Sequence, residues 1–254
     1  GVQWLFAPRR RRERRKNIAR RAAFSEILYN FGPSDSKSGI TELHSDDDDM
    51  KIFGVAMNYP GHNIAPESAL YDNVEPVVFT KADSALLKDR KPFFVPDWCR
   101  RVDHEAALVV RICRLGKCIP ERFAHRYYDA VTVGVDFTAS DVLAGLRSAG
   151  LPWEVAKGFD GSAAIGQWVD KELLRGVQQL RFRLDVNGVA AQEGYTGDML
   201  FGIDSLIARI SRYFTLKTGD LLFTGTPAGV GQVAIGDHLE GYVEDRKVLD
   251  FNCK

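Results

Sequence analysis

A mostly apolar stretch at residues 102–112, Val-Asp-His-Glu-Ala-Ala-Leu-Val-Val-Arg-Ile, predicts a buried β-strand with the carboxylate of Glu105 next to its apolar part. Successive side chains of a strand alternate between its two faces. One face therefore holds Ala106, Leu108, Val110 and Ile112, and the other holds Glu105, Ala107, Val109 and Arg111. Because burying an unpaired charge is costly, Glu105 needs a positive partner. That partner is either an arginine, with Arg100, Arg101 and Arg111 nearby, or a metal ion.

The composition of the 254-residue chain, 45% hydrophobic and 27% charged, is typical of a globular protein with a full core. No apolar run approaches the roughly eighteen residues of a membrane-spanning helix, so the sequence predicts no membrane segment. The cysteines form no Cys-x-x-Cys pair and have no histidine at zinc-binding spacing. They are typical of reduced thiols, and we expect a cytoplasmic protein.

The first 49 residues differ from the rest. Residues 9–22 carry nine Arg or Lys against a single glutamate, and four consecutive aspartates end the segment. It buries too little apolar surface to fold alone, so we expect residues 1–49 to be an extension, disordered or non-native, ahead of a domain at 50–254. Three interpretations are open: a leader upstream of a start at Met50, an Arg-rich targeting presequence, or a basic arm for nucleic acid or a membrane. From Met50 on, 24 basic and 26 acidic residues nearly balance, which argues against a broad nucleic-acid-binding surface.

Several polar residues follow predicted strands. His62 lies on a turn-rich segment after a short strand at residues 52–57, and Asp136 ends another strand. Lys157 heads a loop whose glycines allow close approach of the backbone. A buried strand runs into a Thr- and Gly-rich turn at 224–231, which offers free N–H groups suited to a small carboxylate. This turn matches neither G-x-G-x-x-G nor a P-loop, so no nucleotide site is predicted.

The remaining pattern is one of many short strands and few helices. The dipeptide Asn187-Gly188 predicts a hairpin between two strands. Helical periodicity occurs at residues 121–129, 141–148 and 196–213. This mixture predicts a β-rich α+β domain rather than a doubly wound parallel sheet.

Glu105, Asp136, Lys157 and the turn at 224–231, in this order and at these intervals, resemble the fumarylacetoacetate hydrolase family. The resemblance covers residues 51–254 and is carried by six blocks: Gly-Val-Ala-Met-Asn-Tyr at 54–59 with His62, the Glu105 strand, Val-Gly-Val-Asp-Phe-Thr-Ala at 133–139, Ala-Lys-Gly-Phe-Asp at 156–160, Val-Asn-Gly at 186–188, and Gly-Asp-Leu-Leu-Phe-Thr-Gly-Thr-Pro at 219–227. The chain is most similar to short, single-domain bacterial members of the acylpyruvase or 2-hydroxyhepta-2,4-diene-1,7-dioate isomerase type. The resemblance implies an α+β, β-rich fold, the β-roll of the family's C-terminal domain with a few flanking helices, usually assembled as a homodimer.

The resemblance also implies a reaction on a small 2-oxo or 1,3-dioxo acid: hydrolysis, isomerisation or decarboxylation through an enolate. A divalent ion, Mg²⁺ or Mn²⁺, would be held by Glu105 and Asp136, since such hard ions prefer carboxylates. His62 would act as the general base with Glu67 as its carboxylate partner, and Lys157 would stabilise the enolate. For substrate binding, the resemblance indicates Thr226, Gly225, Lys81 and Tyr59.

Three positions depart from the family pattern. The second glutamate of the metal-binding E-x-E pair is replaced by Ala107, so one of three metal carboxylates is missing. The arginine of the usual Thr-Ala-Arg-Asp is Ser140, and the acid that follows the histidine is Ala65, for which Glu67 could substitute. Three functions therefore stay open: an enzyme with a weaker metal site, a catalytically impaired member that binds an oxo acid or a partner, and a basic-arm nucleic-acid binder.

Overall fold

Short strands dominate the computed structural model, which describes residues 50–60, 75–88 and 91–254. All of these residues belong to one compact unit, Ser45–Lys254. The predicted extension at 1–49 lies outside the described residues, as do His62 and Glu67.

The described strands and helices follow one another as short elements. The strands are β1 (Ile52–Ala56), β2 (Val77–Lys81), β3 (Leu86–Leu87), β4 (Val102–His104), β5 (Ala106–Ile112), β6 (Tyr128–Asp136), β7 (Thr138–Ala139), β8 (Ala163–Ile165), β9 (Val169–Asp170), β10 (Arg181–Val186), β11 (Val189–Tyr195), β12 (Leu221–Phe223), β13 (Gly231–Gln232), β14 (His238–Val243) and β15 (Arg246–Asn252). The α-helices are α1 (Glu121–Ala124), α2 (Ser140–Ala149), α3 (Glu154–Lys157) and α4 (Ile203–Tyr213). Short 3₁₀ helices lie at Asp83–Ala85, Lys171–Leu173, Val177–Gln179 and Thr196–Asp198. This content confirms the predicted β-rich α+β class.

The largest sheet has eight strands in the order β2-β1-β12-β5-β6-β8-β3, with β9 paired to β6. β5 lies in its middle, antiparallel to both β12 and β6. The even-numbered side chains of β5 pack into the main core, whereas Ala107 and Val109 pack into a second cluster that includes Phe223. Both faces of β5 are therefore covered, which explains its nearly continuous apolar sequence.

A second sheet, in the order β11-β10-β14-β15, packs on the middle of the first. Leu184 of β10 and Leu239 of β14 are completely buried in the shared core. The turn between β10 and β11 has positive φ at Asn187 (54°) and Gly188 (76°), as a type I′ hairpin turn requires. The predicted hairpin is confirmed.

The predicted strand at 102–112 is interrupted at Glu105. β4 pairs with β7 and β13 in a small three-stranded sheet, whereas β5 belongs to the large sheet. Glu105 therefore lies at the junction of two sheets. It contacts residues of both, through its backbone carbonyl with Asp136 at the end of β6 and through its carboxylate with Thr138 in β7.

Helix lengths differ in part from the periodicity. α2 agrees with the prediction, but α1 ends at Ala124 because Tyr128 already pairs with Ile112 at the start of β6. Lys157, predicted in a loop, is the last residue of α3. Among the described residues, no helix has the length and apolar character needed to cross a membrane.

Candidate active site

Glu105, Asp136 and Lys157 converge from three different elements. The N–H of Asp136 donates to the carbonyl oxygen of Glu105 at 2.9 Å, so the two acidic residues lie side by side on neighbouring segments. Lys157 ends α3 and is buried. Its Nζ lies 2.7 Å from Asp136 Oδ2 and 3.1 Å from Glu105 Oε2. The partner of Glu105 in this structure is therefore a lysine.

The three arginines considered as partners of Glu105 bind other acids. The pairs are Arg100 with Asp141, Arg101 with Asp103, and Arg111 with Asp129. The expectation that one of them neutralises Glu105 is wrong. The cause is the break between β4 and β5, which turns the Glu105 side chain towards α3 instead of along the strand.

Lys157 is a fixed positive charge. Its three ammonium hydrogens have three acceptors: Asp136 Oδ2, Glu105 Oε2 and, at 2.7 Å, Thr138 Oγ1. Burial alone would lower the pKa of Lys157, but the attraction of Asp136 and Glu105 and the hydrogen bonds to both outweigh it, and the pKa is raised above 10.5. Lys157 therefore remains protonated near neutral pH and cannot serve as a general base there.

The Thr138 hydroxyl fixes the orientation of Glu105. It accepts a hydrogen bond from Lys157 and donates its only hydrogen to Glu105 Oε1 at 2.7 Å. Both carboxylate oxygens of Glu105 thus have a donor, one from Thr138 and one from Lys157. The carboxylate is held in one orientation at the cavity wall.

Lys81, from β2, is the second cation at Asp136. Its Nζ lies 2.7 Å from Asp136 Oδ1, and it also donates to the carbonyl oxygens of Lys157 and Ser162 and to Ser162 Oγ. The charge of the buried Asp136 carboxylate is thus balanced at Oδ1 by Lys81 and at Oδ2 by Lys157. Burial lowers the pKa of Lys81 to about 8, despite the opposing attraction of Asp136.

The Glu105 carboxylate stands between two cavities. The larger has a volume of about 430 Å³, and the smaller, of about 30 Å³, lies against Lys157. Glu105, Leu143 and Arg147 line both. The larger is also lined by Arg101, Asp103, Thr138, Ser140, Ala144 and residues 228–230, and the smaller by Val55, Ala56, Met57, Trp153, Lys157 and Thr226. A small organic acid could thus reach the charged groups directly.

Gln192, on β11, ties the turn that holds Thr226 to the strands on either side of the junction. Its Oε1 accepts from His104 Nδ1 at 2.9 Å and from the N–H of Ala106 at 2.8 Å. Its Nε2 donates to Thr226 Oγ1 at 2.8 Å and to the carbonyl of Pro227 at 3.1 Å. Because the Thr226 hydroxyl accepts from Gln192, its own hydrogen can be donated towards the smaller cavity.

The missing glutamate leaves an apolar position. Ala107 is buried, packs with Val109 and Phe223, and lies opposite Gly134 of β6. Its side chain supplies no ligand atom to the face that it shares with Glu105.

The missing arginine leaves a hydroxyl. Ser140 Oγ donates to Asp103 Oδ2, and Asp103 Oδ1 accepts from Arg101 Nε at 2.7 Å. Asp103 is therefore a further carboxylate at the larger cavity, already neutralised by its own arginine.

The predicted substrate-binding residues are only partly brought together. Thr226 lines the smaller cavity, whereas Lys81 lies beneath Asp136 and lines neither cavity. Gly225 has a φ of 104°, and a Cβ there would lie 2.8 Å from Asn58 Cβ. Its role in this structure is to let the turn pack against the chain beyond β1.

Tyr59 is a core residue in this structure. Its ring packs edge-on against Phe182, with ring centroids 6.3 Å apart, and only 3% of the residue is exposed. Its hydroxyl has no hydrogen-bond partner among the described residues, and the ring lines neither cavity around Glu105. The geometry gives Tyr59 no contact with a substrate at Glu105.

Sequence reasoning missed three residues of this site: Thr138, Gln192 and Arg147. Thr138 lies within one of the six family blocks, so its place beside Asp136 could have been found. Gln192 and Arg147 carry no local signal, since one follows a hairpin turn and the other lies on an ordinary amphipathic helix.

Another group of side chains of metal-ligand type lies on the β14–β15 hairpin: His238, Glu240 and Asp250. Lys247 Nζ lies 2.8 Å from Glu240 Oε1 and 2.9 Å from Asp250 Oδ2, and His238 Nε2 lies 2.9 Å from Asp250 Oδ1. These atoms already satisfy one another, and the group shares no residue with the cavities around Glu105.

Comparison with known proteins identifies the architecture. The family model described as fumarylacetoacetate (FAA) hydrolase C-terminal matches residues 51–253. The chain belongs to the fumarylacetoacetate hydrolase family. Among its relatives is the mouse mitochondrial oxaloacetate tautomerase FAHD1, which is 36% identical over 203 residues, 80% of this chain and 91% of the mouse protein.

Solved structures of the fumarylacetoacetate hydrolase family share the fold. A family protein from Yersinia pestis is 36% identical with a TM-score of 0.74, covering 81% of this chain and 92% of that one. Fumarylpyruvate hydrolase from Pseudomonas aeruginosa, solved with Mn²⁺ and pyruvate, is 27% identical with a TM-score of 0.76, covering 88% and 97%. The predicted fold is thus confirmed, and the relatives are enzymes, one of them with a divalent metal ion.

The carboxylate oxygens that this member of the fumarylacetoacetate hydrolase family offers suit a hard divalent cation. Glu105 and Asp136 supply two carboxylates from adjoining segments, which the ammonium groups of Lys81 and Lys157 neutralise in this structure. Proteins commonly bind Mg²⁺ through one or two carboxylates, with water and substrate oxygens completing the octahedron. With Ala107 in place of a third carboxylate, we expect weaker binding than the full family pattern would give.

Proposed function

We propose that this protein is a divalent-metal-dependent enzyme that acts on a small 2-oxo or 1,3-dioxo carboxylic acid by hydrolysis, isomerisation or decarboxylation. One observation carries the proposal. The carboxylates of Glu105 and Asp136 both pair with the protonated Lys157, and Glu105 and Lys157 line the smaller cavity. The names of the relatives support it, since one acts on oxaloacetate and another was solved with Mn²⁺ and pyruvate.

The three reactions have an enolate in common. A divalent ion, Mg²⁺ or Mn²⁺, held by Glu105 and Asp136 would supply a Lewis acid for the oxo-acid oxygens. The ammonium group of Lys157, fixed beside both carboxylates, would stabilise the negative charge that develops on the enolate oxygen. Thr226 would donate its free hydroxyl hydrogen to the substrate carboxylate.

Proton transfer is assigned to His62, with Glu67 as its partner, on the sequence alone. In a C–C hydrolysis the base would take a proton from the water that attacks the carbonyl carbon. In an isomerisation it would take the proton from the carbon next to the oxo group. Lys157 does not compete for this role because its pKa is raised.

A second candidate function is that of a catalytically impaired family member that retains only oxo-acid or partner binding. The apolar surroundings of Ala107 favour it, because position 107 supplies no third acid and the carboxylates of Glu105 and Asp136 already face two ammonium groups. An impaired member would still form the homodimer that we propose for this chain, but it would have no catalytic activity.

A titration with Mn²⁺, followed by electron paramagnetic resonance with and without pyruvate, separates the two candidates. The metal-dependent enzyme should bind Mn²⁺ and bind it more tightly with pyruvate, and Glu105→Gln or Asp136→Asn should weaken binding by roughly tenfold or more. Asp129→Asn, which removes an exposed carboxylate paired with Arg111, is the matched control and should leave binding unchanged. Absence of Mn²⁺ binding with pyruvate present would contradict the enzyme proposal.

A further inference from the structure

Arg147 projects from α2 into the wall shared by the two cavities. It lines both, together with Glu105 and Leu143. Its guanidinium lies 4.8 Å from the centroid of the Trp153 ring, and Trp153 immediately precedes the short helix that ends in Lys157. Arg147, Trp153 and Lys157 all line the smaller cavity.

The hydrogen-bonding edges of Arg147 are unused. The contact with the Trp153 ring is a cation–π interaction, and a guanidinium has five N–H donors for other partners. Within residues 50–60, 75–88 and 91–254, no hydrogen bond or salt bridge of Arg147 is formed. Arg101, at the larger cavity, differs in this respect because it binds Asp103.

The positive charge of Arg147 is not balanced by a carboxylate among the described residues. Among the described residues, each carboxylate at or beside the cavities has its own cation; the pairs are Asp103 with Arg101, Glu105 with Lys157, and Asp136 with Lys81 and Lys157. A guanidinium without a carboxylate partner attracts an anion, and its planar fork matches a carboxylate in a bidentate arrangement.

The helix also supplies an apolar spacer. Leu143 precedes Arg147 by four residues, which places both on one face of α2, and Leu143 is buried while it lines both cavities. A ligand whose oxo-acid end lies at Glu105 would thus have both an apolar side chain and a guanidinium in the same cavity wall.

We propose that Arg147 binds a second, distal carboxylate of the substrate and thereby selects dicarboxylic oxo acids over monocarboxylic ones. This inference rests on the proposed function, since it requires the oxo-acid end to lie at Glu105 and Asp136. It narrows the substrate class to oxo acids with carboxylates at both ends.

The test compares the binding of two non-cleaved ligands of equal length, 2-oxoglutarate and 2-oxopentanoate, by calorimetry in the presence of Mn²⁺. The parent protein should bind 2-oxoglutarate at least about tenfold more tightly, as a charge-assisted bidentate pair implies. Arg147→Met should abolish this preference and leave 2-oxopentanoate binding within about twofold of the parent. Arg126→Met is the matched control, because Arg126 is also exposed and stacked on an aromatic ring, Phe123, but lines neither cavity.

The outcomes are distinguishable. Equal affinity of the parent for the two ligands, or a preference that survives in Arg147→Met, overturns the role of Arg147 and leaves the proposed function intact. Binding of neither ligand to the parent with Mn²⁺ overturns both. Loss of the preference in Arg126→Met as well would show a general charge effect and would also overturn the assignment.

Discussion

Lys157 Nζ lies 2.7 Å from Asp136 Oδ2, and both side chains are less than a tenth exposed. This ion pair joins the end of α3 to the end of β6. Lys157 also pairs with Glu105, which lies at the cavity wall. Structure and proposed chemistry thus depend on the same ammonium group.

We expect Lys157→Met to destabilise the fold strongly and to abolish turnover. The substitution removes the positive charge that is paired with the carboxylates of Asp136 and Glu105. Removing one partner of a buried ion pair lowers the free energy of unfolding by about 3–5 kcal/mol. Urea unfolding measures the loss. Lys247→Met, which removes a partly exposed lysine bound to Glu240 and Asp250, is the control and should cost far less. Equal losses in the two variants would show that burial adds nothing to the Lys157 pair.

Gln192→Leu should weaken both stability and substrate binding. It removes four hydrogen bonds and leaves the buried N–H of Ala106 and the carbonyl of Pro227 without partners, at an expected cost of about 2–4 kcal/mol. The Thr226 hydroxyl loses its orientation, so KM for the oxo acid should rise more than kcat falls.

The control for Gln192 is Gln178→Leu. Gln178 accepts one long hydrogen bond, 3.3 Å, from the N–H of Ile203 and lies outside both cavities. It should leave KM unchanged. An unchanged KM in Gln192→Leu would show that Thr226 does not bind the substrate carboxylate.

Ala107→Glu should strengthen metal binding. Ala107 pairs across the sheet with Gly134, and alternation places both on the face of Glu105 and Asp136. Without metal, the added buried carboxylate should lower the melting temperature, and Mn²⁺ should raise it by more than in the parent. Ala107→Gln has the same size without the charge and should show no enhanced response to Mn²⁺. Identical responses of the Glu and Gln variants would contradict this geometry.

The buried thiol of Cys253 and the buried hydroxyls of Tyr59 and Tyr128 should make the protein less stable at alkaline pH. Burial raises the pKa of Cys253 from 9.0 to about 12, and it raises the pKa of Tyr59 and Tyr128 in the same direction. The unfolded chain releases these protons at lower pH than the native state, so these three groups contribute a fall in the free energy of unfolding as pH rises from 9 towards 12. Lys81 contributes in the opposite direction, because its pKa is lowered to about 8 in the native state, so the comparison between variants isolates the contribution of Cys253. Urea unfolding at pH 8, 9 and 10 measures the slope. Cys253→Ala should make it shallower, whereas Cys118→Ala, at an exposed position, should leave it unchanged.

The blocks that carry Glu105, Asp136 and Lys157 could be read from the sequence because each is local: an acid within an apolar strand, an acid at a strand end and a lysine before a glycine. Their mutual pairing could not be read. Alternation predicts which face of a strand Glu105 occupies, but the break between β4 and β5 depends on pairing with β7 and β13, which are distant in sequence.

The start of α4 shows the same limit. Periodicity predicts a helix from residue 196, yet α4 begins at Ile203. The N–H of Phe201 donates to Asn58 Oδ1, and the N–H of Leu200 donates to the Asn58 carbonyl. These bonds hold the preceding segment against the chain beyond β1. Gln192 and Arg147 were missed for the same reason, since their roles come from contacts between elements that no local pattern encodes.

The most direct test of the account is turnover of acetylpyruvate, fumarylpyruvate and oxaloacetate with Mg²⁺ or Mn²⁺, measured on the parent protein and on Ala107→Glu. We predict that the parent converts at least one of them, that EDTA stops the reaction and that added Mn²⁺ restores it, because Glu105 and Asp136 suffice to hold the ion. If the parent converts none of them and Ala107→Glu is active, the account is wrong. The site would then need the third carboxylate for activity.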